Sequence, residues 1–301
     1  MHLNDVLNLY MQHLKNKNLA ISTINQYEKE LGYFIRFLED NHIERIDGIK
    51  SIHIDMFNAH LIREGNLATT RSRKKSIINK YFDYCVKMEI LDKNPANIIG
   101  SIKVTDDDRK KKEILSEKDK EKILKKVEKK SIFKVKNRCI INNFLYCGIR
   151  VSELCGLKWE DIDYQNKNIA IRGKGRKNRR VPLFKELEND FKQLKQEQVP
   201  KSEYVFTSKK SGRPMQPRAI HHIVKKYTGE ANIGKTIGPH RLRATAATDY
   251  LREGVNLRYI QMLLGHESLA TTMLYMNPDE QEMNQALQNA AKSMKKKGKR
   301  K

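Results

Sequence analysis

Hydrophobic residues recur every three or four positions through most of the first hundred residues, which is the spacing of helices that bury one face. In residues 21–40 the residues on this face are Ile24, Tyr27, Leu31, Phe34, Ile35 and Leu38. Thr23 and Gln26 carry the pattern of a capping box at the start of this helix. A later helix through residues 71–90 is predicted to bury Ile77, Ile78, Tyr81, Phe82, Cys85 and Met88. Residues 1–103 are therefore predicted to form a helical domain.

The periodicity stops at residues 104–113 (VTDDDRKKKE), where the charge changes sign abruptly. Such a stretch predicts an exposed linker between two domains. Its consecutive aspartates, Asp106, Asp107 and Asp108, cannot converge on one ion from regular backbone, so we predict no metal site there. The second domain is predicted to cover residues 114–294.

This second domain is predicted to be mainly helical with one small β-hairpin. Ser116 followed by Asp119 indicates the start of its first helix. Apolar residues alternate on both sides of the turn sequence GKGRKNRR, which predicts two paired strands. These residues are Ile169 and Ile171 before the turn, and Val181 and Leu183 after it.

Proline, asparagine and glycine mark the bounds of the helices towards the end of the chain. Pro239 is a natural first residue of a helix, and Asn256 and Gly265 bound the next one. Pro278 predicts the start of a final helix, residues 278–294, whose apolar stripe is narrow. A narrow stripe favours docking onto a neighbouring protomer over burial in a core.

The formal charge of +24 at pH 7 and the isoelectric point near 9.8 indicate a polyanionic partner, and nucleic acid is the first candidate. Seven of the cations lie among the last ten residues, and residues 295–301 are predicted to be a basic tail. A membrane is the rival partner, but the sequence has no long apolar run or basic amphipathic anchor. The N-terminus lacks a secretory signal, and the cysteines show neither a disulfide framework nor zinc spacing. We therefore predict a cytoplasmic protein.

Two arginines, two histidines, a lysine and a tyrosine stand in the strings GIRVSEL, IRGKGRKNRRVPL, PHRLR and LLGHESLATTMLY. They are Arg150, Lys174, His240, Arg243, His266 and Tyr275. A guanidinium binds two phosphate oxygens at once, and two of them can neutralise a pentacovalent transition state. A phenol, with an ordinary pKa of about 10, needs a base and a polarised target to act as a nucleophile. These six residues supply the groups that a tyrosine needs to attack a phosphodiester without a metal.

Each residue of this set also has an ordinary structural explanation. Arg150 can simply pair with Glu153. Lys174 is a common kind of turn residue, and Lys177 in the same loop competes with it for any chemical role. His240 and Arg243 are three residues apart and share one helical face.

Two clusters of basic residues are candidates for contacts with DNA phosphates. The first stands at the start of a helix and the second in the hairpin. The residues are Arg71, Arg73, Lys74 and Lys75 in the first cluster, and Lys177 and Arg179 in the second. A solvated helix end explains the first cluster equally well.

In this order and in these contexts, the six residues resemble the tyrosine recombinase (integrase) family, and most of all its Xer-type members. The resemblance covers residues 115–276 in motif terms and residues 1–103 in general form. It implies two domains that form a C-shaped clamp around duplex DNA. The chain departs from the family pattern at Ala244, where many relatives have a second histidine.

The resemblance implies that Tyr275 attacks a DNA phosphate, forms a 3′-phosphotyrosyl link and releases a 5′-hydroxyl. Lys174 would protonate the leaving oxygen, and His240 would exchange the proton of the tyrosine. The residues that would hold the phosphate are Arg150, Arg243 and His266. No metal ion and no other cofactor is expected.

The resemblance also implies a homotetramer on two DNA sites, with a dimer on each, that exchanges strands through a Holliday junction and is associated with the nucleoid. The final helix, residues 278–294, would be passed to a neighbouring protomer. A partner recombinase or an accessory protein stays an open alternative. We expect no arm-binding domain before residue 1, and this expectation favours the resolution of replicon dimers or transposon cointegrates over an integrase of a mobile element. The alternatives of another class are a non-enzymatic DNA-binding protein and a monomeric enzyme similar to type IB topoisomerases.

Overall fold

The computed structural model describes residues 1–97, 100–105, 114–173, 178–199, 201–234, 237–266, 268 and 273. The chain divides into two compact units, Met1–Lys111 and Lys112–Lys301. The predicted final helix, the basic tail and all but the first two residues of the predicted linker lie outside the described residues. The bounds of the linker therefore stay a prediction.

The described part of the first unit contains four α-helices, each with an apolar face. Their bounds are α1 Leu3–Asn16, α2 Ile21–Asp40, α3 Ser51–Arg63 and α4 Ala68–Lys87. Phe34 of α2 and Phe82 of α4 are fully buried, and their ring centroids lie 6.2 Å apart in an edge-to-face contact. The prediction that this part of the chain is helical is confirmed.

Two details of the prediction for this unit are wrong. The N-cap of α2 is Ala20, which makes no side-chain cap bond, so Thr23 and Gln26 lie inside the helix. The amide of Thr23 donates to the carbonyl of Ala20 at 2.8 Å, which already belongs to the first turn. Met88 is 48 % exposed, because α4 ends one residue earlier and its buried face does not continue.

Seven α-helices follow in the described part of the second unit. Their bounds are α5 Glu117–Lys130, α6 Lys134–Asn142, α7 Val151–Cys155, α8 Lys185–Glu197, α9 Pro217–Glu230, α10 Pro239–Arg252 and α11 Leu257–Leu264. Ser116 caps α5 by accepting from the amide of Asp119 at 3.2 Å, as predicted. Phe144, Phe191 and Phe206 are fully buried in the core of this unit.

A three-stranded antiparallel sheet completes the second unit. Its strands are β1 Ile162–Asp163, β2 Asn168–Arg172 and β3 Asn178–Pro182, in the order β1-β2-β3. Ile169 lies opposite Val181, and both are buried, so the predicted hairpin is confirmed. Strand β1 was not predicted from the sequence, because two residues are too few to show alternation.

The four cysteines are free and buried; they are Cys85, Cys139, Cys147 and Cys155. Burial raises the pKa of the Cys155 thiol to about 11, so this thiol stays protonated and unreactive at neutral pH. Over the ranges that the structure describes, no helix is long and apolar enough to cross a bilayer. The same ranges contain no group of three histidine, cysteine, aspartate or glutamate side chains that is suited to a metal ion.

Candidate active site

The turn after α6 positions Arg150. The helix continues into a π-helical segment, Asn143–Cys147, and Gly148 then adopts a left-handed conformation with φ of 54°. A Cβ atom on Gly148 would lie 2.6 Å from Cδ2 of Leu264, so this close approach requires glycine. Arg150 follows in an extended conformation as the N-cap of α7.

Arg150 is held by Glu153 and by the end of α11. Its Nη1 donates to Oε1 of Glu153 at 2.8 Å, and its Nη2 donates to the carbonyl of Gly265 at 2.7 Å. Its backbone amide donates to Oε2 of Glu153 at 2.7 Å. The side chain of Arg150 is nevertheless 38 % exposed, so part of the guanidinium faces solvent. The pairing with Glu153 is present, but it does not enclose the arginine.

The first turn of α10 carries the other predicted arginine and one of the histidines. Pro239 is the first residue of this helix, as predicted. Arg243 is 4 % exposed and donates to the carbonyl of Gly148 and, at 2.7 Å, to the carbonyl of Leu264. His240, three residues earlier, is exposed. Arg243 is therefore buried, whereas His240 lies at the surface.

Three arginines from three different segments meet at the C-terminal end of α11. The last carbonyls of a helix lack intrahelical partners and carry partial negative charge, which guanidinium groups complement. Arg150 and Arg243 bind adjacent carbonyls and are therefore close together, as the sequence predicts. The donor–acceptor pairs are Arg179 Nε to Leu263 O (2.7 Å), Arg243 Nη2 to Leu264 O (2.7 Å) and Arg150 Nη2 to Gly265 O (2.7 Å).

Glu153 is the acidic centre of this cluster. Its side chain is 5 % exposed, and its two oxygens accept from Nη1 and Nη2 of Arg179 at 2.7 and 2.9 Å. Burial raises the pKa of a carboxyl group, but the hydrogen bonds and charges of Arg179 and Arg150 outweigh burial and lower the pKa of Glu153 to about 2. Glu153 is therefore ionised at neutral pH. The sequence indicates Glu153 only as a possible partner of Arg150.

His240 stands next to the arginines and to a second histidine, His221 of α9. The two imidazole rings have centroids 6.5 Å apart. Desolvation and the positive charges of Arg243, His221 and Arg150 lower the pKa of His240. A neutral imidazole accepts a proton, so this direction suits a general base. His221 was not predicted, because no motif in the sequence singles it out.

His266 directly follows Gly265, which has φ of 64° and ends α11 as predicted. Gln261 fixes the main chain of His266 through two hydrogen bonds, one from the His266 amide (3.2 Å) and one to the His266 carbonyl (3.0 Å). The structure thus brings together four of the six predicted residues, namely Arg150, His240, Arg243 and His266. Lys174 and Tyr275 lie outside the described residues.

The basic residues at the start of α4 all make contacts within the first unit. Arg73 is still 54 % exposed. Contact with DNA therefore stays a prediction for this cluster. The contacts are Arg71 Nη1 to Asn58 Oδ1 (3.0 Å), Arg73 Nη2 to Glu30 Oε1 (2.9 Å), Lys74 Nζ to Glu30 Oε2, and Lys75 Nζ to the carbonyl of Gly100.

Arg179 is mostly buried and makes its contacts within the second unit. Its side chain is 12 % exposed and is bound by Glu153 and by the carbonyl of Leu263. It also lies against Gly265, where an added Cβ would come within 2.9 Å of Nη1 of Arg179. The arginine therefore joins β3 to α7 and α11, and its contact with DNA stays a prediction. The other hairpin residue of that prediction, Lys177, is outside the described residues.

Comparison with known proteins matches both parts of the chain to family models. Residues 113–282 match the model of the phage integrase family. Residues 7–89 match the model of the phage integrase N-terminal SAM-like domain. The first match alone covers more than half of the chain.

Individual proteins agree with the family models. The chain is 32 % identical over 279 residues to a tyrosine recombinase XerC of Thermodesulfovibrio yellowstonii, with 90 % of each chain covered. It is 29 % identical to a tyrosine recombinase XerC of Listeria monocytogenes, covering 89 % of this chain and 90 % of that one.

Solved structures show the same fold. A lambda integrase dimer bound to a COC′ core site matches with a TM-score of 0.74 at 18 % identity, covering 90 % of this chain and 97 % of that one. A lambda integrase tetramer bound to a Holliday junction matches with a TM-score of 0.76 at 17 % identity, covering 93 % and 80 %. By its domain matches and by the identity with its relatives, the chain belongs to the phage integrase family, the tyrosine recombinases.

Proposed function

We propose that this recombinase cleaves and rejoins DNA at specific sites through a covalent bond between Tyr275 and the 3′ side of the break. The phenolic oxygen attacks the phosphorus while the bond to the 5′ oxygen breaks. His240 accepts the phenolic proton, and Lys174 donates a proton to the leaving 5′ oxygen. The 5′-hydroxyl of a partner strand then attacks the phosphotyrosine and releases the tyrosine. One phosphodiester replaces another, so the exchange consumes no nucleotide.

The observation that carries this proposal is the placement of two guanidinium groups on adjacent carbonyls at one helix end. Arg150 and Arg243 bind Gly265 and Leu264, and His266 is the next residue of the chain. Because a phosphate gains negative charge when it becomes pentacovalent, fixed cations beside it stabilise the transition state more than the ground state. Arg150 supplies a partly exposed guanidinium, and Arg243 supplies a buried one.

We extend the assembly of the structural relatives to this chain as part of the same proposal. Lambda integrase has been solved as a dimer on a core site and as a tetramer on a Holliday junction. We expect a dimer on each site of double-stranded DNA, a homotetramer on two sites, and action in the cytoplasm at the nucleoid. Residues 278–294 are the segment that we expect to dock onto the neighbouring protomer. A partner recombinase or accessory protein would act on this assembly.

Two biological roles fit this chemistry. The relatives named XerC favour the resolution of replicon dimers, with transposon cointegrates as a related substrate. An integrase of the transposon Tn1549 in complex with circular intermediate DNA also shares the fold, with a TM-score of 0.69. This second match favours a role in mobile-element integration. Sequencing the DNA captured on Tyr275 in cells separates them, because resolution predicts a fixed site on one replicon and integration predicts element ends.

The proposed chemistry is tested by covalent trapping on a nicked duplex that carries the captured site. The nick lets the short fragment that bears the released 5′-hydroxyl diffuse away, so the phosphotyrosyl adduct accumulates and shifts in a denaturing gel. We expect an adduct with the wild-type chain on this duplex and none with Tyr275→Phe. An adduct of equal yield on a duplex of scrambled sequence would indicate a topoisomerase-like enzyme without site preference. Tight binding without any adduct would indicate a DNA-binding protein that is not an enzyme.

A further inference from the structure

Arg179 is enclosed by groups that the reaction needs, yet the proposed chemistry gives it no part. It shares Glu153 with Arg150: Oε1 accepts from both guanidinium groups, at 2.7 Å from Arg179 and at 2.8 Å from Arg150. Oε2 accepts from Arg179 at 2.9 Å and from the backbone amide of Arg150 at 2.7 Å. The carboxylate of Glu153 therefore pairs with both arginines.

We propose that Arg179 is a positioning residue that balances the charge of Glu153, so that Arg150 keeps a net positive charge for the scissile phosphate. Arg150, Arg179 and Glu153 together carry a net charge of one positive unit. Without Arg179, Glu153 and Arg150 would form a neutral pair. The attraction of that pair for the phosphate would fall, because the carboxylate would cancel the field of the guanidinium at short range.

The different burial of the Arg150 and Arg179 side chains supports these different roles. The side chain of Arg150 is 38 % exposed, whereas that of Arg179 is 12 % exposed. Arg179 is also fixed by its Nε bond to the carbonyl of Leu263 and by its contact with Gly265, which has no side chain in the way. Arg179 therefore faces Glu153, and Arg150 is the member of the pair that faces outward.

The inference rests on the proposed role of Arg150 in cleavage, and it is tested with the full chain on the same nicked duplex. Cleavage is followed in a single turnover at saturating DNA, DNA affinity is measured by titration, and folding is checked by thermal unfolding. We expect Arg179→Gln to cleave about 10²-fold more slowly, the cost of weakening one fixed electrostatic contact with the transition state, with little change in affinity. Arg179→Lys keeps the charge and should retain most of the rate.

The decisive measurement is the double variant Arg179→Gln with Glu153→Gln. If charge balance is the role of Arg179, removal of the unpaired carboxylate restores at least about tenfold of the lost rate, which is 1.4 kcal/mol of the barrier. A merely structural link predicts a double variant no faster than Arg179→Gln, and that result overturns the inference. Should Arg179→Gln fail to fold, the inference stands if the double variant cleaves within about tenfold of Glu153→Gln alone, and it falls otherwise.

The matched control is Arg172→Gln. Arg172 is also an arginine of this sheet that grips a buried carboxylate, with Nε and Nη2 bound to Asp161 at 3.0 and 2.8 Å. Its hydrogen bonds go to Glu160 and Asp161 and not to Glu153 or to the carbonyls at the end of α11, so cleavage should stay close to the wild-type rate. If Arg179→Gln binds DNA more weakly but cleaves at the wild-type rate at saturating DNA, Arg179 contacts DNA directly. This result would refute the inference and leave the proposed function unaffected. If the wild-type chain forms no adduct at all, the proposed function fails and the inference fails with it.

Discussion

Glu30 of the first unit and Glu153 of the second each bind two cations, and the surroundings of the two glutamates differ. In the first unit, Glu30 of α2 binds Arg73 and Lys74, which are neighbours on α4, and Arg73 is 54 % exposed. In the second unit, Glu153 binds Arg150 and Arg179, which come from different segments. Both of these arginines also donate to carbonyls at the end of α11.

The difference lies in how tightly each cation is fixed. An exposed arginine paired with one carboxylate contributes about 0–1 kcal/mol and can turn to another partner. A guanidinium held by both a buried carboxylate and a helix carbonyl has few alternative orientations, and its loss leaves buried polar groups without partners. The first arrangement suits contacts with any DNA phosphate. The second suits a reaction that needs a cation at one fixed position.

The largest expected effect is that of Arg243→Ala. The change leaves the carbonyls of Gly148 and Leu264 without this donor, at a cost of about 1–3 kcal/mol for each group that stays buried and unpaired. It should also slow cleavage by about 10²–10³-fold, the cost of removing one fixed donor to a developing oxyanion. Thermal unfolding and single-turnover trapping measure the two losses.

Arg252→Ala is the control for this variant, since Arg252 is an exposed arginine near the other end of the same helix. Stability should change by no more than about 0.5 kcal/mol. If Arg243→Ala cleaves as fast as Arg252→Ala, cleavage does not depend on the buried side chain of Arg243.

The next effect in size concerns Glu153 and pH. Its pKa in the folded chain is about 2, below the ordinary value of 4.5, so its ionised form stabilises the fold above pH 4.5 and this contribution is lost as the pH falls towards 2. The contribution corresponds to roughly 3 kcal/mol. In Glu153→Gln, unfolding free energy measured between pH 5 and 2 should fall less steeply than in the wild type.

Glu160→Gln provides the comparison for the pH experiment. Glu160 also pairs with an arginine, Arg172, but its side chain is 65 % exposed. Its removal should leave the acid slope nearly unchanged, because solvent screens an exposed pair. Equal slopes for Glu153→Gln and the wild type would mean that the stability of the second unit does not depend on the Glu153 carboxylate.

A smaller effect is expected for Gly148→Ala. The added Cβ would lie 2.6 Å from Leu264 Cδ2, at a backbone φ of 54°. We expect a loss of about 1–3 kcal/mol from overpacking, together with slower cleavage because Arg150 is two residues away. Gly229→Ala in α9 is the control, since nothing lies within 4 Å of its added Cβ. That change should stabilise the helix by up to about 1 kcal/mol. Chemical denaturation should therefore show a loss of stability in Gly148→Ala and a gain in Gly229→Ala.

The sequence predicts the first unit and the hairpin well because their signals are local. Helical spacing identifies Leu31, Phe34 and Leu38 as core residues, and strand alternation identifies the pairing of Ile169 with Val181. The arrangement around Glu153 depends instead on segments that are distant in the chain. No local pattern distinguishes Arg179 from the other basic residues of its turn, so its true partners emerge only when β3, α7 and α11 pack together.

The smallest expected effect on stability, and the sharpest contrast between the units, is that of Arg73→Gln. Its loss removes one exposed pair with Glu30, so unfolding free energy should change by no more than about 1 kcal/mol. If Arg73 binds a phosphate, the slope of log affinity against log salt should become shallower by about 0.9, the value for one released counterion. Cleavage at saturating DNA should stay at the wild-type rate, because binding rather than chemistry is affected.

Asp55→Asn, an exposed change on α3 of the same unit, is the control for Arg73→Gln and should leave the salt slope as it is. An unchanged salt slope in Arg73→Gln as well would show that the pairing of Arg73 with Glu30 persists on DNA. Arg73 would then be held by Glu30 as firmly as Arg150 and Arg179 are held by Glu153. The contrast between the two units would disappear.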